Sequence, residues 1–527
     1  MTSITQLPIP VHRAIKDFAQ STASALQTAH SWNKLVNQFE HQYGNSPTHI
    51  IRAPGRLGKT QIRTRSVDLS VIGEHIDYAL FGVLPAAIEN ELAIAIRVTP
   101  DSNGLVKVAN TDAKYTSAEF TAARNGVGEW DLAIDPKALR WESYVKAGYL
   151  GVLEKFFPAG SNDAPLGMQA MFTSNIPAGS GVSSSAALIV ASTLSFLVVN
   201  GKLASVTKGD LVGMSILNEK KVGVHSGGMD QSASILSSPG NVLYIPFYPD
   251  LQPSPIPLPS SSDAPSAFVI ANSLTVSNKA ETGKSRYNLR VVETLAGARV
   301  LSRVLGIDYG HEERLTYRQV LHKWIEKQGK EDNEKHLKDA ITTLLDSGSL
   351  DKLKGKSQDG VVLEEMIEMC GMSKEDFQKV FLSWVEVEAT QFQLYRRAMH
   401  VFTEARRVLQ FRDLCSSTDA SGATALLQEL GKLMDESQKS CSQLFECSCP
   451  ELNELTALAK VHGAYGSRLT GAGWGGCTVS LVKEKDVPAF LANLRENYGP
   501  FKDLDDAAFS AACFATKPAE GACVFEL

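Results

Sequence analysis

At 527 residues the chain is longer than one ordinary hydrophobic core organises, so roughly two to four domains are expected. A hydrophobic content of 43% with 21% charged residues excludes a disordered chain. Its 52 basic and 58 acidic residues, a net charge of −6, leave no general attraction to nucleic acid or to an anionic membrane. A small-molecule partner is the natural expectation.

The first residues lack a basic start followed by an apolar core, so no secretory signal is expected. Residues 11–41 carry apolar side chains at helical spacing and predict a helix. Residues 50–56 read as a strand entering a Pro-Gly turn, 83–98 as strand pairs near a core, and 104–120 as further strand. A helix over 141–157 and a strand over 168–173 follow. The longest apolar run, 186–199, is interrupted by Ser192, Thr193 and Ser195 and is too short to span a bilayer, so a cytoplasmic protein is expected. Residues 208–221 are helical in pattern. The segment 246–266 holds seven prolines and reads as a linker. Beyond it come a strand over 267–274, an amphipathic helix over 287–305, a charged helical span at about 310–375 taken as a surface insertion, helix again over 390–433, strand over 467–482 and a last strand over 522–527. All eight cysteines fall at or after Cys370. The spacing Cys447-x-Cys449, with Cys441 nearby, matches neither a zinc nor a redox pair, and reduced thiols account for them.

Four stretches carry chemistry. Ile176-Pro177-Ala178-Gly179-Ser180-Gly181-Val182-Ser183-Ser184-Ser185-Ala186-Ala187 stands at the entrance of a buried helix. Glycines there let backbone N–H groups approach an anion, and the helix presents its positive dipole end, so the physical reading is a phosphate cradle. A serine-capped helix behind a flexible loop is the plain alternative. Gly73-Glu74-His75-Ile76-Asp77-Tyr78 groups carboxylates and an imidazole able to bind several hydroxyls of one ligand, as sugar recognition requires; a solvated turn is the competing reading. In Val224-His225-Ser226-Gly227-Gly228-Met229-Asp230-Gln231, an acid behind a glycine pair is placed for general-base work on a hydroxyl, though acids beside glycines are also common turn chemistry. Upstream, Glu219 is a second carboxylate, either near a phosphate-bound metal or one more solvated helix charge. Leu469-Thr470-Gly471-Ala472-Gly473-Trp474-Gly475-Gly476 places four glycines in six residues before a strand, a second wall or a structural corner.

Gly-Glu-His-x-Asp-Tyr, Pro-x-Gly-x-Gly-x-Ser-Ser-Ser-Ala and Thr-Gly-Ala-Gly-x-Gly-Gly, in that order, resemble the motifs of the GHMP small-molecule kinases. The Gly-Gly-Met-Asp-Gln string and Tyr287-Asn288-Leu289-Arg290-Val291-Val292-Glu293 are similar to the galactokinase branch and its N-acetylgalactosamine kinase relatives. The resemblance covers most of residues 50–527. It implies an α+β, two-domain GHMP kinase fold with the active site in the interdomain cleft: a tail over 1–20, an N-terminal domain over 21–255 and a C-terminal domain over 256–527. The implied reaction is ATP-dependent phosphorylation of galactose at C1, the entry step of galactose catabolism, with Mg2+.

By position, the resemblance implies Asp230 as the catalytic acid–base residue and Arg56 as its partner. It implies Glu74, His75, Asp77, Gly227 and Tyr287 at the sugar. Pro177, Gly179, Ser180, Gly181, Val182, Ser183, Ser184, Ser185 and Ala186 fall at the triphosphate, with Ser185 and Glu219 as magnesium ligands. An N-acetylated sugar is the alternative substrate. A sugar- and ATP-dependent sensor acting on a transcriptional repressor is the alternative role, and the intact Ser185-Ala186 pair favours the enzyme.

One departure stands out. The family pattern Gly-Arg-x-Asn-x-Ile-Gly-Glu-His has three residues between arginine and isoleucine, whereas fifteen separate Arg56 from Ile72, an excess of twelve. Either the extra residues loop out and Arg56 still reaches the site, or activity is impaired. Gly58-Lys59-Thr60 does not complete a phosphate-binding Walker motif, because Ala53 stands where its first glycine belongs. The basic, patternless segment suggests a translated stretch of intron.

Overall fold

A computed structural model describes residues 3–17, 22–56, 70–100, 103–135, 140–161, 163–176, 184–223, 228–259, 265–275, 283–310, 313–417 and 422–527. The fold is α+β. Its larger sheet contains β1 (Val11–His12), β2 (His49–Arg56), β5 (Ala87–Thr99), β6 (Val106–Asn110), β7 (Ala118–Phe120), β8 (Gly167–Ser174) and β15 (Cys523–Glu526), with β3 (Ser70–Ile72) and β4 (Leu84–Pro85) as a small pair beside it. The spatial order is β1-β15-β2-β5-β8-β6-β7. β5 is covered on both faces, and its alternation shows how. Leu92, Ile94 and Ile96 enter the main core, while the small Ala93 and Ala95 face the other way. Against those alanines lies α1 (Thr22–Tyr43), with Trp32, Leu35 and Phe39 on one helical stripe. Trp32 Nε1 donates to Glu91 Oε1 at 2.8 Å, and Glu91 also pairs with the buried Arg52.

The opposite face carries α2 (Trp141–Phe156), α3 (Ser184–Val199), α4 (Lys208–Lys221) and α5 (Met229–Leu236). α3 packs on β2 and β5 and on all three neighbouring helices. Its run of Ala, Leu, Ile, Val and Phe leaves no polar stripe, which suits a helix enclosed on every side.

A hairpin of β9 (Asn241–Tyr244) and β10 (Ser254–Pro257) leads to a second sheet, ordered β12 (Gly466–Thr470), β13 (Cys477–Lys483), β11 (Ser266–Asn272) and β14 (Cys513–Thr516). Between β11 and β12, α6 (Tyr287–Val304), α7 (Tyr317–Lys327), α8 (Glu334–Asp346) and α9 (Leu394–Ser416) pack on one another, and α10 (Ala423–Ser440) packs on both α9 and β12.

Three expectations change. The helix expected over 11–41 begins only at Thr22, because Val11 and His12 pair in parallel with Val524 and Phe525. The proline-rich stretch forms a paired strand, with Pro255 and Pro257 on the edge strand of a two-stranded ribbon, where a missing N–H is tolerated. The charged span at 310–375 exposes most of its described charges, but Arg318 and Asp332 form a buried pair, and Tyr317, Val320, Leu321, Ile341 and Leu344 are buried in the main core. The ends also cross the expected domain limits: β15 lies between β1 and β2, so residues 11–12 and 523–526 complete the N-terminal sheet.

The twelve-residue excess has a counterpart in the pairing. Arg56 lies opposite Ala87, and Ser70 lies opposite Pro85. In an unbroken antiparallel strand, residue 58 would face Pro85. Ser70 stands there instead, twelve positions later. One register shift lies between Pro54 and Arg56 ahead of the segment and another between Ser70 and Ile72 after it, so the pairing resumes in frame at Ser70 to within a bulge. Ser70 thereby takes the place of the asparagine in the family pattern. Deleting residues 58–69 should leave the fold intact and change unfolding free energy by no more than about 1 kcal/mol, upward if at all, since the strand pairs on either side are kept and the chain between them is shortened. Calorimetry of the deletion variant checks this, and a larger loss would show that the segment contributes fold contacts.

Candidate active site

Two clusters come from the sequence motifs. The first gathers at the ends of helices. Gly228 caps α5 with φ 89°, a conformation that calls for glycine, and a Cβ there would meet only the movable end of Ile216, at 2.4 Å. Asp230 follows in the first turn of α5, buried, where the helix dipole favours a negative charge. α5 is tied to the sheet by Ser234 Oγ, which donates to Pro54 O at 3.0 Å, and by Ser237 Oγ, which accepts from Ala87 N at 3.1 Å. Asp230 therefore sits one turn from a contact to the strand that ends in Arg56.

α4 runs back along α3: Asn218 Nδ2 donates to Thr193 Oγ1 at 3.0 Å, and Val222 packs with Ile189. The end of α4 thus rises towards the start of α3, where Ser185 lies half-buried in the first turn. Glu219, fully buried near the end of α4, accepts a hydrogen bond from Gln231 Nε2, the residue after Asp230. A serine hydroxyl and a carboxylate are hard oxygen donors of the kind that suit Mg2+. Pro177, Gly179, Ser180, Gly181, Val182, Ser183 and Gly227 lie outside the described residues, and Arg56 and Ser184 are described as backbone only. Ala186 is buried in α3.

The second cluster is the loop 73–78. Glu74, His75 and Asp77 are buried, and His75 takes a left-handed φ of 60°, a conformation that L side chains adopt only when held there. The hold comes from the C-terminal half. His75 Nε2 faces Ala472 O at 3.0 Å, so this nitrogen carries the proton, and Nδ1 accepts from Tyr78 Oη at 3.2 Å. The ring packs 4.5 Å from Phe445 and 5.8 Å from both Tyr287 and Trp474, centroid to centroid. Tyr287, the first residue of α6, is also 5.8 Å from Tyr78. Glu74 Oε1 accepts from Gly471 N at 2.8 Å and from Arg468 at 3.3 Å. Gly73 N donates to Glu404 Oε1 at 3.0 Å, and His400 Nε2 donates to Glu74 O at 3.0 Å. Gly473, at φ 79°, lets the turn approach Cys447, whose carbonyl would lie 1.9 Å from a Cβ there.

The two clusters hang from one strand run. β4 pairs with β3 just ahead of Gly73, and Ala87, two residues beyond β4, pairs with Arg56 and donates to Ser237 of α5. Arg468, Glu404, His400 and Phe445 were not singled out from the sequence. Arg468 stands three residues before the glycine run, the one available cue. Glu404 and His400 lie in a helix whose charges look like those of any surface helix.

Comparison with known proteins places this arrangement. Residues 143–238 match the GHMP kinase N-terminal domain, 423–499 the GHMP kinase C-terminal domain, and 68–98 the galactokinase galactose-binding signature. A galactokinase of Saccharomyces cerevisiae is 34% identical over 522 residues, covering 94% of each chain. The chain belongs to the galactokinase family. A galactokinase of Dictyostelium discoideum is also 34% identical, over 94% of this chain and 93% of its own. The crystal structure of Lactococcus lactis galactokinase complexed with galactose superposes with a TM-score of 0.60 at 21% identity, covering 93% of this chain and 99% of that one, which shows the shared fold. The galactose-binding signature begins at residue 68, so the match resumes within two residues of Ser70, where the strand pairing resumes.

In this galactokinase-family chain the seat of the loop is electrostatically fixed. Burial alone would raise Glu404, but Arg407 and Arg468 overcome it and hold the carboxyl at about 2. Burial pushes His400 down to about 4. A buried histidine lowered below its ordinary value leaves the native state less protonated than the unfolded chain between about pH 4 and 6.5, so stability is complete above that window and lost as pH falls through it. The cost attributable to His400 is about 3 kcal/mol by pH 4. Glu404 follows the carboxylate rule: its contribution is present above the unfolded value and lost only as pH falls towards 2. Urea unfolding at about pH 7 and pH 4.5 should show a shallower loss for His400→Gln than for the native chain.

Proposed function

We propose that the chain transfers the γ-phosphoryl group of ATP to the C1 hydroxyl of galactose, giving galactose 1-phosphate and ADP, the entry step of galactose catabolism. The single observation that carries this reading is the coexistence of the loop 73–78, seated between both halves of a full-length galactokinase-family chain, with a buried acid at the start of α5. In the reaction the C1 oxygen attacks the γ-phosphorus, the bond from that phosphorus to the β-phosphate oxygen of ADP breaks, and the hydroxyl proton passes to Asp230. Phosphoryl transfer asks mainly for positioning and charge stabilisation. Glu74, Asp77 and Tyr287 hold the sugar; His75, whose two ring nitrogens face Ala472 and Tyr78, shapes the loop around it. Arg56 steadies Asp230 and the transferring group, and the segment 177–186 receives the triphosphate in the cleft between the two domains.

Ser185 and Glu219 would hold Mg2+, and Gln231 orients the Glu219 carboxylate towards that task. Bound magnesium would neutralise charge on the β- and γ-phosphates. Among the described residues no helix is long and apolar enough to cross a membrane, which agrees with a cytoplasmic enzyme handling two small substrates. N-acetylgalactosamine as substrate, and a sensor acting on a transcriptional repressor, are the alternatives that the assay separates.

ADP release is measured with galactose, with N-acetylgalactosamine and with no sugar. Turnover with galactose supports the proposal; turnover with the N-acetylated sugar alone, or with neither alongside sugar-dependent ATP binding, rejects it. Asp230→Asn should lower kcat by about a thousandfold while galactose still binds, as loss of a general base predicts.

A further inference from the structure

The buried groups behind loop 73–78 have no part in the chemistry above, yet they converge on one side chain. Arg468 is completely buried on β12. Its Nε donates to Ser437 Oγ at 3.1 Å, one terminal nitrogen reaches Glu74 Oε1 at 3.3 Å, and the other lies 3.8 Å from Glu404 Oε1 and 3.8 Å from Cys441 Sγ. Ser437 Oγ in turn donates to Glu404 Oε1 at 2.6 Å, and Glu404 Oε2 pairs with Arg407 at 2.8 Å. Two arginines and two glutamates thus share one buried site whose charges cancel.

We propose that Arg468 is a positioning residue for galactose: it fixes the rotamer of Glu74, so that the C-terminal domain sets the affinity of a sugar contact borne by the N-terminal domain. The inference rests on the reading of Glu74 as a sugar contact. Three features support it beyond packing. The guanidinium meets the carboxylate through one nitrogen, with the rest of its fork held by Ser437 and Glu404, so its orientation is set before Glu74 arrives. Gly471 N approaches the same Oε1 and adds direction to the grip. The backbone of the same two residues is held from α9, by Glu404 at Gly73 and by His400 at Glu74. Asp230 and Glu219 belong to α5 and α4, outside this network, so loosening it should touch sugar binding and spare the nucleotide.

Steady-state kinetics on the full chain, with galactose and ATP varied separately, test this. Arg468→Lys keeps the charge but loses the fork, and Ser437→Ala removes only the hydroxyl that orients the guanidinium. Each should raise KM for galactose by about tenfold and change KM for ATP by less than about twofold. In a Glu74→Gln background the effect of Arg468→Lys on galactose should shrink to less than about twofold, since the two residues act as one unit. If Glu74→Gln itself leaves KM for galactose unchanged, the sugar contact is wrong and the inference falls with it. If Glu74→Gln weakens galactose while both Arg468→Lys and Ser437→Ala leave it unchanged, or raise both KM values alike, the inference alone is overturned. Should Arg468→Lys fail to fold, Ser437→Ala decides between these outcomes.

Discussion

The structure depends on a buried exchange of charge between its halves: Arg468 lies between Glu74 of loop 73–78 and Glu404 of α9, with Arg407 balancing the sum. Any one of these groups alone would be costly to bury, and removing a partner leaves an uncompensated charge in a low-dielectric site. Because the set is neutral and satisfied by Ser437, Gly73 and Gly471, it specifies where the loop must sit rather than merely permitting it. A left-handed His75 is tolerable only under such constraint. Loop 73–78 belongs to the N-terminal half by sequence and to the C-terminal half by contact.

Much of this was legible in the sequence, and the reasons differ by element. Residues 208–221 and 287–304 were legible as helices from their pattern, and residues 83–98, expected as strand pairs near a core, form β4 and the long β5, whose stretch 92–96 is buried on both faces. Two glycines of these motifs have a clear structural reason: Gly228 by its left-handed φ of 89° and Gly473 by its approach to the Cys447 carbonyl. What stayed hidden depends on long-range partners. Val11 and His12 look helical until Val524 and Phe525 are placed beside them, and Glu404 looks solvated until Arg468, distant in sequence, is brought to it. Pattern within a window of residues cannot register a neighbour hundreds of positions away. The charged span at 310–375 was hidden for a related reason: its charges slightly outnumber its apolar residues, but in α7 and in α8 the apolar residues gather on one buried face of the helix.

The interruption between Arg56 and Ser70 shows a β-ladder acting as a ruler. Pairing partners are set by the sum of positions across an antiparallel ladder, so an insertion is invisible to the ladder when both flanks meet the partner strand at consecutive sites. The ladder absorbs a register shift between Ser70 and Ile72, and Val71 and Ile72, which point to opposite faces, are both fully buried there.

The last strand carries a consequence for biosynthesis. β15 occupies the position between β1 and β2, and its Val524 and Phe525 bond to both neighbours. The larger sheet therefore lacks the strand between β1 and β2 until residues 523–526 have been translated. Truncation ahead of Cys523 removes that strand and leaves β1 without its partner.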